Sequence, residues 1–233
     1  MTETLPILMI PGLNCSARLY QHQIAALWPI APVMVANHTK TNDIKHMAEY
    51  IIASAPKKFN LVGLSMGGYL CFEILRQAQK RVEKLVLIDT SARADTEEQT
   101  SRRERTIKMA FKNKFEELDN MMWPVLVDKS HVNNVELHAL VNQMAKDTGP
   151  EAFINQQRTI ISRPDSREFL KFIKPKTMVI VGEGDQLTPP DIAKEMADGI
   201  PGATLEIIPD CGHLSAIEQP EKVSELLVRF FKS

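Results

Sequence analysis

Three short stretches of this chain carry residues whose types and spacing could break a bond. Asn60 to Gly68 reads Asn-Leu-Val-Gly-Leu-Ser-Met-Gly-Gly, which sets Ser65 in a Gly-x-Ser-x-Gly pattern between an apolar run and an amphipathic helix. In a sharp strand-to-helix turn the serine takes a strained backbone conformation. Side chains two positions to either side would collide with neighbouring backbone, hence Gly63 and Gly67. A serine hydroxyl is a weak nucleophile at neutral pH. It needs a base to take its proton, and the base needs an acid to hold its tautomer and stabilise its charged form. Downstream, Gly182-Glu183-Gly184-Asp185 follows one strand-like run and Asp210-Cys211-Gly212-His213 follows the next. Ser65 is therefore the candidate nucleophile, His213 the general base and then acid, and Asp185 the orienting carboxylate. Plainer readings exist: Ser65 packed in a tight turn, His213 capping the last loop, and Asp89, which also ends a strand, in place of Asp185. Asp210 suits a turn.

These residues need a scaffold that brings strand ends together. Short apolar runs recur at Leu5 to Ile10, Pro32 to Ala36, Phe59 to Leu64, Lys84 to Ile88, Lys176 to Val181 and Thr204 to Ile208. Runs apolar on both faces indicate buried parallel strands. Helical periodicity separates them at Asp43 to Ala55, Met66 to Gln79, Pro190 to Gly199 and Pro220 to Lys232. The alternation predicts an α/β fold, a doubly wound sheet whose ligand edge is the carboxyl end of the strands. It breaks between about Thr90 and Lys174, where charged amphipathic stretches follow one another at Thr96 to Asn113, Phe115 to Val127, Val135 to Lys146 and Pro150 to Ser162. This reads as an inserted helical cap, residues 91–173, on a core of residues 1–90 and 174–233.

Bulk properties narrow the partners. The 233 residues suffice for one main domain, and 44% hydrophobic and 24% charged residues are ordinary for a soluble globular protein. A net charge of -1 gives no electrostatic reason for nucleic acid or an acidic membrane as partner, which leaves a small molecule. Cys15, Cys71 and Cys211 are widely spaced and odd in number, as suits a reducing compartment. The start of the chain lacks signal-peptide features and no apolar run approaches the roughly 20 residues of a membrane span, so a cytoplasmic location is expected.

The three motifs, their order Ser65, Asp185, His213, and the cap resemble the α/β-hydrolase superfamily, in particular its small bacterial esterase and lactonase branches. The resemblance implies an α/β-hydrolase fold, here a mainly parallel six-stranded sheet with helices on both faces and an inserted helical cap. It also implies an oxyanion hole from the backbone amides of Met66, at the N-terminus of the helix after Ser65, and Leu13, in Pro11-Gly12-Leu13-Asn14. Many relatives have His-Gly where this chain has Pro11-Gly12, so whatever that histidine does for the loop must be done otherwise. A second departure is the stretch Asn37 to Asp43, where relatives often carry Asp-x-Pro-Gly-x-Gly.

The expected activity is cofactor-free cleavage of a small carboxylic ester, lactone or thioester through an acyl-enzyme. The same triad serves C–C bond hydrolases and perhydrolases, and a receptor-like fold with little turnover is the competing class. Asn14 and, in the cap, Trp123 are the substrate-binding candidates. Phe111, Phe115, Met121, Met122, Met144 and Phe153 could line an acyl pocket or pack the cap helices together. His22, His38, His46, His131 and His138 lack metal-ligand spacing and read as surface or packing residues, with no catalytic metal expected. Cys15 and Cys211 read as buried filler. Arg102, Arg103 and Arg105, alternating with Glu97, Glu98 and Glu104, read as a solvated helix face.

Overall fold

The six apolar runs form the strands β1 Ile7–Ile10, β2 Val33–Val35, β3 Phe59–Leu64, β4 Val82–Ile88, β5 Lys176–Gly182 and β6 Thr204–Ile208 of a computed structural model that describes residues 4–112 and 115–233. They make one sheet in the order β2-β1-β3-β4-β5-β6, with every pair parallel. Alternate residues explain why the runs are continuously apolar. Ile7 and Met9, Val62 and Leu64, Val86 and Ile88, and Met178 and Ile180 pack on one face. Leu8 and Ile10, Phe59 and Leu61, Leu85 and Leu87, and Val179 and Val181 pack on the other. Each such side chain stabilises the fold by roughly 1.5–3 kcal/mol when fully buried.

The first face is covered by α1 Gln21–Leu27 and α9 Pro220–Lys232, and the second by α2 Ile44–Ser54, α3 Met66–Ala78 and α7 Pro190–Gly199. Helix α1 is not among the helices expected from the periodicity. It spans seven residues and buries only Gln23 and Leu27, too little for a repeat to register.

Between β4 and β5 lie α4 Glu97–Phe111, α5 Phe115–Leu126 and α6 Val135–Ile161. Helix α4 starts at a capping box in which Thr96 Oγ1 accepts from Gln99 N–H and Gln99 Oε1 accepts from Thr96 N–H. Its expected end at Asn113 lies outside the described residues. The two expected stretches on either side of Gly149-Pro150 are two helical arms, together labelled α6, separated at Gly149, whose φ 78°, ψ 163° is not helical. Ile107, Ala110, Leu118, Phe153 and Ile154 form a small apolar cluster within these helices.

The cap is pinned at both ends. Asp95, where the chain enters it, meets Arg163, where the chain leaves, at 2.8 Å, and Arg103 at 2.7 Å. Arg163 also donates to the carbonyls of Arg93 and Ile160 and stacks 4.2 Å from the Tyr69 ring centroid on α3. Arg103 is thus corrected from a solvated face: it is inward, bonded to the buried Asp95 and to Gln157 of α6. Its adjacent residues Arg102 and Glu104 are exposed charges, but the buried Asp95 carboxylate decides its direction. Arg102 is exposed as expected.

Candidate active site

The strand order reverses at β1, between β2 and β3, and a crevice outside that switch point is where open parallel sheets take ligands. Ser65 follows β3 there. Its backbone sits at φ 53°, ψ -113°, a region that costs a non-glycine residue about 1–3 kcal/mol and persists only when its surroundings dictate it. They do: Ser65 N–H donates to Ile88 O at 2.9 Å, and Ser65 O accepts from Thr90 Oγ1 at 2.7 Å and Gly68 N at 2.9 Å. A Cβ on Gly67 would strike the Ile10 carbonyl, and one on Gly63 the backbone of Gly67, so the elbow tolerates no side chain at either position.

His213 and Asp185 reach the same point from β6 and β5. His213 Nε2 lies 2.8 Å from Ser65 Oγ, and His213 Nδ1 lies 2.8 Å from Asp185 Oδ2. Asp185 is itself saturated. Oδ2 also accepts from Thr188 Oγ1 at 2.7 Å, and Oδ1 from the amides of Leu187 and Thr188 at 2.8 and 2.9 Å. A carboxylate so held keeps the proton of a neutral imidazole on Nδ1, leaving Nε2 to accept from the serine O–H.

Electrostatics follow the geometry. Burial disfavours the His213 imidazolium, but the charge and hydrogen bond of Asp185, with the charges of Asp89 and Glu218, more than offset it and raise the histidine above its ordinary value. Burial likewise opposes the Asp185 charge, and the facing imidazole and the Thr188 donors outweigh it, leaving the carboxyl below the usual range.

Asp89, the rival acid, ends β4 at φ 44° and does not bond His213. Its oxygens accept from Gly182 N–H and Ser215 N–H, both at 3.1 Å. Burial, then the charge of Asp185, pushes it up to about 8.

On the other side of Ser65, Met66 opens α3, where a first-turn amide has no intrahelical acceptor. Leu13 follows β1, and its side chain packs on the apolar cap cluster. Asn14, at φ 60°, gives its N–H to Gln156 Oε1 of α6 at 2.9 Å, and Cys15 N–H bonds Gly12 O at 3.2 Å. His38 is the unforeseen member. It is buried, with Nε2 3.0 Å from Gly12 O and 3.1 Å from Gln156 Nε2. With the proton on Nε2 it donates to Gly12 O; with it on Nδ1 it accepts from the Gln156 amide. Burial lowers its pKa, which keeps the ring neutral. Of the surface and packing readings of His38 the buried one holds, with a more specific part: it braces the Gly12–Asn14 turn, which Pro11 cannot do through an N–H. Its place directly after β2, at the ligand edge, was the signal.

Trp123 is buried among cap and core side chains. Its indole N–H is spent on Val132 O at 2.8 Å, and its ring stacks on His138 with centroids 4.6 Å apart. Cys15, Cys71 and Cys211 are buried thiols, and burial drives the latter two far from the thiolate form. Among the described residues no group of three or more His, Cys, Asp or Glu could hold a metal ion, and no helix is long and apolar enough to cross a membrane.

A family model described as alpha/beta hydrolase fold matches residues 41–220. A 2-hydroxy-6-oxononadienedioate/2-hydroxy-6-oxononatrienedioate hydrolase of Escherichia coli K12 is 28% identical over 178 residues, 74% of this chain. The match spans 62% of that relative's length. A thermophilic esterase from Thermogutta terrifontis superposes with a TM-score of 0.91 at 28% identity, over 99% of this chain and 90% of the other. An enol-lactonase from Burkholderia xenovorans, at 21% identity, shares the fold with a TM-score of 0.88, over 99% of this chain and 92% of its own.

Proposed function

The chain belongs to the α/β-hydrolase family, and from that premise we propose that it is a serine hydrolase that cleaves a small carboxylic ester, lactone or thioester through an acyl-enzyme. The observation that carries this reading is the unbroken line from Ser65 Oγ through His213 to Asp185, 2.8 Å at each step. Ser65 Oγ attacks the substrate carbonyl as His213 Nε2 takes its proton. The carbonyl π electrons move to oxygen, where the amides of Met66 and Leu13 meet the charge. Collapse breaks the bond to the leaving group, which receives the proton from His213. Water then repeats the sequence: His213 takes its proton, hydroxide adds to the acyl carbon, and Ser65 leaves with the proton returned. Asp185 holds the imidazole throughout and stabilises its charge. The leaving atom of the substrate, oxygen or sulfur, needs only a proton, so no cofactor enters. The partner is a small molecule, and the cap's apolar cluster beside Leu13 favours an apolar acyl portion.

A second reading, hydrolysis of a C–C bond beside a ketone, is favoured by the E. coli relative. The same serine would attack the ketone carbonyl, and a carbanion would leave and take the proton. The two readings part on a substrate panel. Turnover of short-chain p-nitrophenyl esters, lactones or acyl thioesters that Ser65→Ala abolishes supports the first. Turnover confined to vinylogous diketones points to the second. A stoichiometric burst with no further turnover would favour a receptor.

A further inference from the structure

Three consecutive amides around His213 are all spoken for, and by groups that do not belong to the strand it follows. Gly212 N–H donates to Glu218 Oε2 at 3.0 Å, Leu214 N–H to Glu218 Oε1 at 3.0 Å, and His213 N–H to Leu126 O, at the end of cap helix α5, at 3.0 Å. Glu218 ends the short helix α8, Ser215–Glu218, and is buried. Its bond to Leu214 could be a local device of that helix. The remaining contact cannot: Glu218 Oε2 also accepts from Asp128 N–H, 90 residues away, at 2.7 Å. The two segments touch so closely that a Cβ on Gly212 would strike the backbone of Val127 and Asp128.

We propose that Glu218 is a positioning residue of this site: its carboxylate joins the loop that presents His213 to the exit of α5, so that the cap helps to set where the imidazole stands. A buried carboxylate is costly to keep, and one that receives three backbone donors from two separate loops is worth keeping only where their relative position matters. Its charge also bears on the base. Around His213 stand Asp185 from the loop after β5, Asp89 from the end of β4, and Glu218 from α8, while Glu218 is faced by the Asp128 amide and by His131 beyond α5. Each of the three carboxylates favours the imidazolium, so neutralising Glu218 lowers the pKa of His213. The inference rests on the reading of His213 as the base that serves Ser65.

The test compares Glu218→Gln, Glu218→Asp and, as a buried-carboxylate control away from the site, Glu73→Gln, which is bonded to Arg76 and Gln77. Turnover of a p-nitrophenyl ester is followed against pH, and the His213 ring is titrated by NMR. In Glu218→Gln an amide N–H2 must face a backbone donor. We expect kcat to fall about tenfold or more with KM within about twofold, and the acid limb to move to lower pH. Glu218→Asp keeps the charge but cannot span three amides: its plateau falls while its limb stays. Glu73→Gln changes neither. A Glu218→Gln enzyme with unaltered plateau and limb, or one slowed only as much as Glu73→Gln, would overturn the proposal. Should Gln not fold, an Asp variant with the full plateau overturns it equally. Absence of ester turnover in the wild type would strike the Ser65 reading alone. The NMR titration would then decide the clamp, a lower His213 pKa in Glu218→Gln supporting it and an unchanged one refuting it.

Discussion

On one side of Ser65, His213 and Asp185 stand on loops that directly follow β6 and β5 and are stapled by short bonds within the core, such as Gly184 N–H to Cys211 O at 2.8 Å. On the other side, the Leu13–Asn14 turn is held by His38 after β2 and by Gln156 from the second arm of α6. Proton transfer, as proposed, depends on loops at the strand ends that meet the cap at the exit of α5, whereas the proposed charge stabilisation depends on a turn that α6 of the cap grips. Damage to the first side should therefore abolish chemistry in a folded protein, and loosening of α6 should fall first on the second.

The sharpest break of that contrast is Asp185→Asn. Removing the acceptor that holds Nδ1–H should lower kcat on the order of 10³- to 10⁴-fold without unfolding the protein, whereas Asp89→Asn, which touches only two backbone amides, should cost far less. Steady-state kinetics with circular dichroism decide it; the opposite ranking would make Asp89 the acid. Next in size is Arg163→Met. It leaves buried Asp95 with Arg103 as its one remaining ion-pair partner among the described residues and should lower the stability measured in urea by about 3 kcal/mol.

Gln156→Ala removes the acceptor of Asn14 N–H and should reduce kcat about ten- to a hundredfold while fluorophosphonate still labels Ser65. Equal loss of labelling and turnover in Gln156→Ala would erase the distinction between the two sides. The smallest effect is on pH. The base works neutral and His213 is raised, so kcat/KM should climb with pH through a midpoint above about 6.5, the ordinary histidine value. In any residual activity of Asp185→Asn that midpoint should fall, because the lost carboxylate favoured the charged ring. A midpoint below 6.5 in the wild type would mean that burial outweighs the carboxylates.

The same contrast explains what the sequence made legible. A strand buried on both faces, such as β3, announces itself as an apolar run, and edge strand β6, though largely unburied, still lies where the pattern puts it, so the residues that follow them, Ser65 and His213, inherit a place at the ligand edge. The Asp185–His213 bond connects neighbouring strand ends. Gln156 and Glu218 have no such marker. Gln156 is a polar residue on a polar-looking helix, and its partner Asn14 lies 142 residues away. Glu218 bonds an amide 90 residues off. Such pairings depend on how α5 and α6 dock, which periodicity within each helix does not encode. The solvated-face reading of Arg103 fails for the same reason: its adjacent charges, Arg102 and Glu104, are exposed, while its partner in space is Asp95.

The central claim is that Ser65 is an activated nucleophile. Fluorophosphonate labelling, read by intact mass and peptide mapping, tests it most directly, with heat-denatured protein, Ser65→Ala and His213→Ala as controls. The account predicts a single adduct on Ser65 of the folded wild type and none in the three controls. A folded protein that takes up no adduct, or takes it up at another residue, would contradict it.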